Sequence, residues 1–192
     1  MLLTNRESNW DRKITLTISW TKPCRGWYKL NIDGAYNKEK GIEDIGGVVR
    51  NEKGDWLIGF ASNISVKNPV QEELMALYEG LCIANNRKLY PLEIETDATQ
   101  VITFIRDGCK PYDSIINSCR LLLAQMGTVE MYHLFRQGNE VAHKLAKHGM
   151  SSLVSNKLAF WLYPPPFVLA RMLADSVVKF VKKLFLLSIV EL

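Results

Sequence analysis

Several residue patterns that would identify a function directly are scarce in this sequence. Its 192 residues include only four cysteines and three histidines, and no two cysteines form a C-x-x-C pair. Because structural zinc sites need cysteine and histidine at such spacings, a zinc site is excluded. A chain of this length can build a core without disulfides, so we expect the four thiols to be reduced.

Long apolar runs are also lacking. The last uncharged stretch, Leu184–Val190, is far shorter than the roughly 20 residues that a membrane-spanning helix needs. The first residues do not resemble a secretory signal, and the sequence contains no other recognisable targeting signal. Cytoplasm or nucleus is therefore the default expectation. With 47% hydrophobic and 23% charged residues, the composition is that of a globular domain, which excludes wholesale disorder.

An excess of positive charge is missing from the middle of the chain. The formal net charge is +4, but it is distributed unevenly. Residues 1–25 carry five Lys or Arg against two Asp or Glu, residues 26–150 fourteen against sixteen, and residues 151–192 five against two. The middle is therefore not a basic clamp for nucleic acid. Attraction to a polyanion would come from the two ends or from bound metal ions.

The hydrophobic pattern predicts an α/β domain. Apolar and polar residues alternate from Tyr28 to Asp33, which is typical of a strand. An apolar stripe with helical spacing predicts a helix over Gln71–Asn86. The other predicted elements are strands at Ile45–Val49, Trp56–Ala61, Leu92–Asp97 and Val129–Arg136, and helices at Thr99–Asp107, at Tyr112–Gln125 and from Asn139 to Gly149. This order predicts a five-stranded mixed sheet with helices on its faces.

Three segments are expected along the chain. Residues 1–25 form a polar, basic lead-in, residues 26–150 the domain, and residues 151–192 a spacer followed by a helix. The prolines in Tyr163–Pro166 predict an extended spacer. Over residues 168–190 the charges fall on one stripe of an amphipathic helix. This helix could dock on the domain, on a protein partner or on a membrane surface.

Three carboxylates lie where catalysis would need them. Asp33 lies near the end of the first strand, and Asp97 lies at the end of the fourth strand. If these strands are parallel neighbours, their carboxyl ends share one edge of the sheet, where ligands of α/β proteins bind. Glu73 lies in the first turn of the predicted helix Gln71–Asn86, which connects the third strand to the fourth. Each residue also has a plain structural alternative: Asp33-Gly34 a turn, Glu73 a partner of the helix dipole, and Asp97 a helix cap.

Converging carboxylates would repel one another unless cations neutralise them. Hard oxygen ligands favour Mg²⁺ or Mn²⁺. Two such ions about 3.5–4 Å apart can stabilise the attacking and leaving oxygens of a phosphodiester, which requires no nucleophilic side chain. The pattern therefore favours metal-dependent phosphodiester chemistry.

Five segments in order resemble a type 1 ribonuclease H domain, in the reverse-transcriptase-like form common in plant genomes. The resemblance covers residues 28–149. The segments are Asn31-Ile-Asp-Gly-Ala35, Gly46-Gly-Val-Val-Arg-Asn-Glu-Lys-Gly54, Glu73-Leu-Met-Ala-Leu-Tyr-Glu-Gly-Leu81, Glu95-Thr-Asp97 and Arg136-Gln-Gly-Asn-Glu-Val-Ala-His-Lys-Leu-Ala146. The resemblance implies a ribonuclease H-like fold, cleavage of the RNA strand of RNA–DNA hybrids, and Asp33, Glu73 and Asp97 as ligands of two Mg²⁺ or Mn²⁺ ions.

The fourth acidic position of that family is His143 here. An imidazole can bind Mn²⁺ but is a poor Mg²⁺ ligand, and it removes one negative charge from the site. We take His143 as a candidate catalytic residue. The alternative is a partly exposed helix residue without metal contact.

Substrate contacts are expected around the first strand and the first helix. A hybrid duplex displays ribose hydroxyls in a wide, shallow minor groove, which favours recognition by shape. Polar groups near the site could make such contacts, although the same residues also fit an ordinary solvated loop. The candidate substrate-binding residues are Gly34, Asn37, Lys38, Asn68 and Gln71.

Three other functions remain compatible with the sequence. The chain could bind nucleic acid without turnover, which His143 favours. It could act through its C-terminal segment as a protein-interaction element. An actin-like phosphate-binding fold also begins with a strand, Asp-x-Gly and a hairpin, but it usually needs a duplicated domain, for which this chain has no room.

Overall fold

The elements follow one another in nearly the order that the sequence predicts. The computed structural model of the protein describes residues 19–37, 42–64, 68–152 and 157–177. The strands in these ranges are β1 (Tyr28–Asn37), β2 (Ile42–Arg50), β3 (Trp56–Ile64), β4 (Leu92–Thr96), β5 (Val129–His133) and β6 (Leu158–Trp161). The α-helices are α1 (Pro69–Asn86), α2 (Thr99–Asp107), α3 (Asp113–Met126), α4 (Glu140–Ser152) and α5 (Pro166–Val177), with short 3-10 turns at Lys110–Tyr112 and Arg136–Gly138.

All six strands belong to one mixed sheet, in the order β5-β4-β1-β2-β3-β6. β1 pairs antiparallel with β2 and parallel with β4, and β4 pairs parallel with β5. A tight turn joins β2 to β3. Asn51 Oδ1 accepts hydrogen bonds from the backbone N–H groups of Lys53 and Asp55, and Gly54 takes a left-handed φ of 85°.

The side chains of β1 alternate between two different layers. Leu30 and Ile32 are fully buried in the larger apolar core, which lies between the sheet and helix α1. Asn31 and Asp33 point to the opposite face, on which helix α4 packs. The strand that carries the first candidate carboxylate is therefore apolar on one side and polar on the other.

Helix α4 comes very close to the sheet at Gly46 of β2. A Cβ atom at this position would overlap the backbone of Ala146, so only glycine leaves room for the helix. Val48, Val141 and Leu145 are buried beside this contact in a second, smaller core. The helix that carries His143 is thus seated directly on the central strands.

The sheet has six strands, so the prediction of five strands is wrong. The additional strand β6 pairs antiparallel with β3, and Trp56 Nε1 donates a hydrogen bond to the carbonyl of Trp161 at 2.9 Å. β6 has only four residues and lies two residues before the run of prolines that begins at Pro164. A sequence pattern of four residues does not distinguish a strand from the extended spacer predicted in this region. The segment becomes a strand because the edge of β3 is otherwise unpaired and can form hydrogen bonds with it.

Several element boundaries also differ from the sequence expectation; among them, β5 ends at His133 rather than at Arg136. β1 continues past Gly34, because β2 pairs with it as far as Asn37. Helix α4 passes Gly149 and ends at Ser152. Helix α5 begins at Pro166, since proline is tolerated in the first turn of a helix. Residues 178–192, which include the second half of the predicted C-terminal helix, lie outside the described residues.

Helix α5 packs on the domain with its charged side inward. Asp175 is 7% exposed and accepts a hydrogen bond from Arg50 Nη1 at 2.9 Å. Arg50 is itself buried, stacks on the Trp20 ring at 3.4 Å and donates to Asn31. Leu173, in contrast, faces outward. No helix within the described ranges is both long and apolar enough to cross a membrane.

The buried Arg50–Asp175 pair therefore joins residues from β2 and α5 with the aromatic ring that precedes β1. Burial lowers the pKa of Arg50 to about 10, and Asp175 opposes this shift. Arg50 still carries its charge at neutral pH, so the loss of Asp175 would leave the guanidinium buried without its ion-pair partner. The loss of Arg50 would leave Asp175 paired only with the less buried Arg171.

We predict that Arg50→Met and Asp175→Asn each lower the free energy of unfolding by about 3 kcal/mol, because each removes one member of a buried ion pair and leaves the other with weaker compensation. The double variant should lose less than the sum of the two. Urea unfolding measures this. The exposed Arg106–Asp107 pair is the control, and Asp107→Asn should change the free energy of unfolding far less, because water screens this pair. Equal effects at the two pairs would contradict the prediction.

Asp44 of β2 is a second buried charge, without such a partner. It is fully buried opposite Asn63 of β3, whose side chain only partly offsets the loss of water, and no Lys or Arg among the described residues pairs with it. Burial raises the pKa of Asp44 to about 7. The protonated form is therefore favoured in the folded protein relative to the unfolded chain.

This shift predicts a pH dependence of stability. The folded pKa is above the unfolded one, so the contribution of Asp44 is present below about pH 4 and is lost as the pH rises through about 7. Asp44→Asn mimics the protonated form. At pH 8 it should unfold with a free energy higher than that of the wild type by roughly 1–3 kcal/mol, with no difference at pH 4. A difference that is independent of pH in urea unfolding would contradict this.

Candidate active site

Two of the candidate carboxylates lie where β1 and β4 stop pairing. The last parallel pair between these strands is Asn31 with Glu95. Asp33 is two residues beyond this pair on β1, and Asp97 is two residues beyond it on β4. The two side chains therefore share one edge of the sheet, as the sequence predicts. Asp97 does not cap helix α2, whose N-cap residue is Ala98 and has no capping side-chain hydrogen bond.

Glu73 reaches the same edge from helix α1. Asn68 caps this helix, because its Oδ1 accepts a hydrogen bond from the Val70 backbone N–H at 2.9 Å. Glu73 is one turn further along, and its Oε1 accepts a hydrogen bond from the Gly34 backbone N–H at 3.2 Å. A bond across to β1 thus orients the carboxylate next to Asp33.

The three carboxylates form one cluster. One oxygen from each of Asp33, Glu73 and Asp97 lies within 4.8 Å of the others. Asp33 is buried, and the other two are half-buried at the wall of a cleft of about 430 Å³. The cleft is lined by Gly34, Ala35, Pro69, Val70, Glu72, Glu73, Asp97, Ala98, Gln100, Val101, Arg136, His143 and Lys147.

This proximity opposes ionisation of the acidic groups. Burial, followed by repulsion from Asp97, raises the pKa of Asp33 well above its usual value. Burial, followed by repulsion from Asp33 and Asp97, raises the pKa of Glu73 to about 8. Without a cation the cluster therefore retains protons near neutral pH, and a bound cation would displace them.

His143 of α4 lies directly beside the cluster. Its Nδ1 is 2.7 Å from Asp33 Oδ2, and the residue is 7% exposed. The alternative interpretation of a partly exposed helix residue is therefore wrong about burial, because α4 rests on the sheet and turns this position inward. A catalytic or metal-binding role of His143 stays a prediction.

Arg136 lies on the other side of the imidazole. Its Nη2 is 3.1 Å from Nδ1 and 3.0 Å from Nε2 of His143. Burial, followed by the charges of Arg136 and Lys147, lowers the pKa of His143 to about 4, so the ring is neutral near pH 7. A ring that accepts from Arg136 at Nε2 and donates to Asp33 from Nδ1 satisfies all three groups, since guanidinium only donates.

The donor set fits a hard divalent cation. All three acidic residues offer oxygen ligands, and Glu73 Oε2 is buried without a hydrogen-bond partner among the described residues. An unpaired buried carboxylate oxygen is costly, and coordination would relieve that cost. Asp33, Glu73 and Asp97 are therefore the residues that could hold Mg²⁺ or Mn²⁺.

The predicted substrate-binding residues lie in different parts of the structure. Gly34 lines the cleft. Asn68 Oδ1 is engaged as the cap of α1, and Gln71 lies in a neighbouring groove of about 320 Å³ between α1 and α3, beside Tyr112. Asn37 ends β1. Lys38 lies outside the described residues.

Sequence reasoning missed three charged residues of the cleft: Arg136, Lys147 and Glu72. Lys147 is four residues after His143 on α4, so helical spacing could have placed it on the same face. Glu72 is buried next to Glu73 and would contact any side chain at position 34. Arg136 lies in a 3-10 turn that the sequence analysis assigned to the end of a strand, which concealed its position.

Comparison with known sequences identifies the family. Residues 31–149 match the family described as "Reverse transcriptase-like". An Arabidopsis thaliana protein named "Putative ribonuclease H protein At1g65750" is 32% identical over 142 residues, which is 72% of this chain. The match spans only 23% of that relative, so the chain corresponds to about a quarter of its length.

Solved structures show the same fold. RNase H1 from the halophilic archaeon Halobacterium salinarum is 22% identical, with a TM-score of 0.58, over 65% of this chain and 98% of its own. LC11-RNase H1, isolated from compost and solved in complex with an RNA/DNA hybrid, is 18% identical with a TM-score of 0.57, over 63% and 94% of the two chains.

The family match covers well over half of the chain, and the solved structures share its fold. The protein therefore belongs to the reverse transcriptase-like family and contains a ribonuclease H-like domain.

Proposed function

We propose that this protein hydrolyses the RNA strand of RNA–DNA hybrids with the help of two divalent ions, Mg²⁺ or Mn²⁺. The observation that supports this most directly is the meeting of Asp33, Glu73 and Asp97 within 4.8 Å at one wall of an open cleft. These residues come from β1, α1 and the end of β4, and no ion pair with Lys or Arg among the described residues neutralises them.

The three carboxylates would have distinct roles. Asp33 is the central member and would be shared between both ions, with Glu73 and Asp97 each completing one. When bound, the ions would supply a nucleophilic water and stabilise the departing 3′ oxygen, leaving 5′-phosphate and 3′-hydroxyl ends. The Gly34 backbone N–H holds Glu73 in place, and His143 holds one oxygen of Asp33.

Two cations of the chain itself face the same cleft. Arg136 and Lys147 line it together with the acidic groups, and they could attract the phosphates of a nucleic acid. The groove beside Gln71 lies next to the cleft along helix α1, with Tyr78 and Tyr112 on its walls. This arrangement is compatible with a duplex whose two strands lie in the cleft and the groove.

One observation favours a second candidate function, hybrid binding without turnover. His143 Nδ1 already engages Asp33 Oδ2 at 2.7 Å, at the position where active relatives are expected to carry a fourth carboxylate. A carboxylate oxygen held in this way is less available to a metal ion. Hybrid binding without cleavage in both Mg²⁺ and Mn²⁺ would select this alternative.

We predict that Asp33→Asn lowers hybrid cleavage about a hundredfold or more, because it removes the shared metal ligand. A labelled RNA–DNA hybrid in Mn²⁺ buffer gives the rate, and Mn²⁺ titration calorimetry gives the affinity. Asp107→Asn, at an exposed site distant from the cluster, is the control. Cleavage that is unchanged in Asp33→Asn would rule out the proposed mechanism.

We predict that His143→Asp raises the affinity for Mg²⁺ roughly tenfold, since it supplies a hard ligand and frees an oxygen of Asp33. Calorimetric Mg²⁺ titration measures the change. Asn117→Asp on the exposed side of α3 adds the same charge away from the cleft and should leave the affinity unaltered. Equal affinities in all three proteins would exclude position 143 from the metal site.

A further inference from the structure

Helix α5 lies beyond residue 149, where the family match ends, yet it touches the turn that carries Arg136. Its first residues pack inward: Val168 is fully buried, and the Phe167 ring stacks on His148 at 4.1 Å. The helix is therefore seated on the domain, and its polar side chains have fixed positions relative to the cleft.

A buried carboxylate determines the direction of Arg171 on this helix. Asp175 Oδ1 accepts a hydrogen bond from Arg171 Nε at 3.0 Å, and Asp175 Oδ2 accepts one from Arg50 Nη1 at 2.9 Å. Arg50 holds Asp175 from the side of the sheet. The guanidinium of Arg171 is thereby held at one of its nitrogens, which leaves its outer nitrogen directed away from α5.

That outer nitrogen binds the backbone next to Arg136. Arg171 Nη2 donates a hydrogen bond to the carbonyl oxygen of Gln137 at 2.6 Å. Gln137 is the middle residue of the 3-10 turn Arg136–Gly138. The turn has two internal backbone bonds, from Gly138 N to Phe135 O at 2.8 Å and from Asn139 N to Arg136 O at 2.9 Å.

The other side of the same turn is fixed to β1. Asn139 is buried, and its Nδ2 donates a hydrogen bond to the carbonyl of Ile32 at 2.7 Å, one residue before Asp33. The turn is thus held between the strand that carries the central carboxylate and the helix that carries Arg171. Arg136 leaves this turn toward His143 and the cleft.

We propose that Arg171 is a positioning residue for the cleft: through the Gln137 carbonyl it holds Arg136 beside the carboxylate cluster. The consequence for catalysis rests on the proposed function. The C-terminal segment is then a working part of the active site, contributing without touching the substrate or the reacting atoms.

Amide hydrogen exchange tests the positioning step without reference to activity. In the full chain, Arg171→Met should speed exchange at Gly138 and Asn139 about tenfold, because the charged donor that braces the turn is lost. Arg87→Met, an exposed arginine at the end of α1, is the matched control and should change neither amide. Arg171→Lys keeps a positive charge beside Asp175, but its single nitrogen cannot reach both Asp175 and the Gln137 carbonyl. This variant should therefore recover the free energy of unfolding more fully than the slow exchange at Gly138 and Asn139.

A double-mutant cycle tests the functional step. Arg171→Met should lower kcat/KM for hybrid cleavage about tenfold in the wild-type background and have almost no effect in an Arg136→Met background, because the misplaced group is then already absent. A purely structural role of Arg171 would give the same loss in both backgrounds. Unchanged exchange at the turn, or additive losses in the cycle, would overturn the proposal.

The two proposals fail separately. If the wild-type chain binds a hybrid but cleaves none in Mg²⁺ or Mn²⁺, the proposed hydrolysis fails, and the same cycle is run on hybrid affinity by fluorescence anisotropy. Non-additive affinities together with faster exchange then support the role of Arg171. If the chain does not bind a hybrid at all, the exchange result decides the positioning claim alone: tenfold faster exchange supports it, and unchanged exchange refutes it.

Discussion

Mutual repulsion among Asp33, Glu73 and Asp97 is the constraint on which the rest of this site depends. Burial, together with repulsion among the three acidic groups, raises the pKa of Asp33 and of Glu73, and the fold provides only partial relief through the Gly34 amide, His143 and Arg136. The stabilisation that is missing is what a hard cation would supply. The acidic cluster therefore destabilises the domain locally, at the edge of the sheet where α/β proteins usually bind their ligands.

The polar face of β1 explains why residues on both sides of the family match contribute to the domain. Lys29 and Asn31 share this face with Asp33 and are almost fully buried. Lys29 pairs with Glu95 at 2.7 Å, and Asn31 accepts a hydrogen bond from Trp20, so the residues before β1 help to cover the face. Helix α5 closes the other part through Asp175. A family match that spans residues 31–149 includes β2 to β5 and most of β1, but omits β6 and much of the layer that covers this side.

The sequence was sufficient to predict the first five strands, the helices between them and the acidic trio, because regular periodicity and ordered motifs carry that information. It could not supply β6, whose four residues become a strand only because the edge of β3 is free. It also missed the inward direction of Asp175, since a charged stripe on a helix normally faces water. Arg136 was hidden for a similar reason: its role depends on a turn that tertiary contacts hold, and periodicity does not record such contacts.

The seating of α4 on Gly46 has a consequence for the cleft. The backbone of the helix rests on a strand position without a side chain, three residues away from His143. The height of the helix above the sheet therefore also sets the gap between the imidazole and Asp33. Gly46 contributes no catalytic side chain. Because it has no Cβ, it nevertheless determines how closely His143 approaches Asp33.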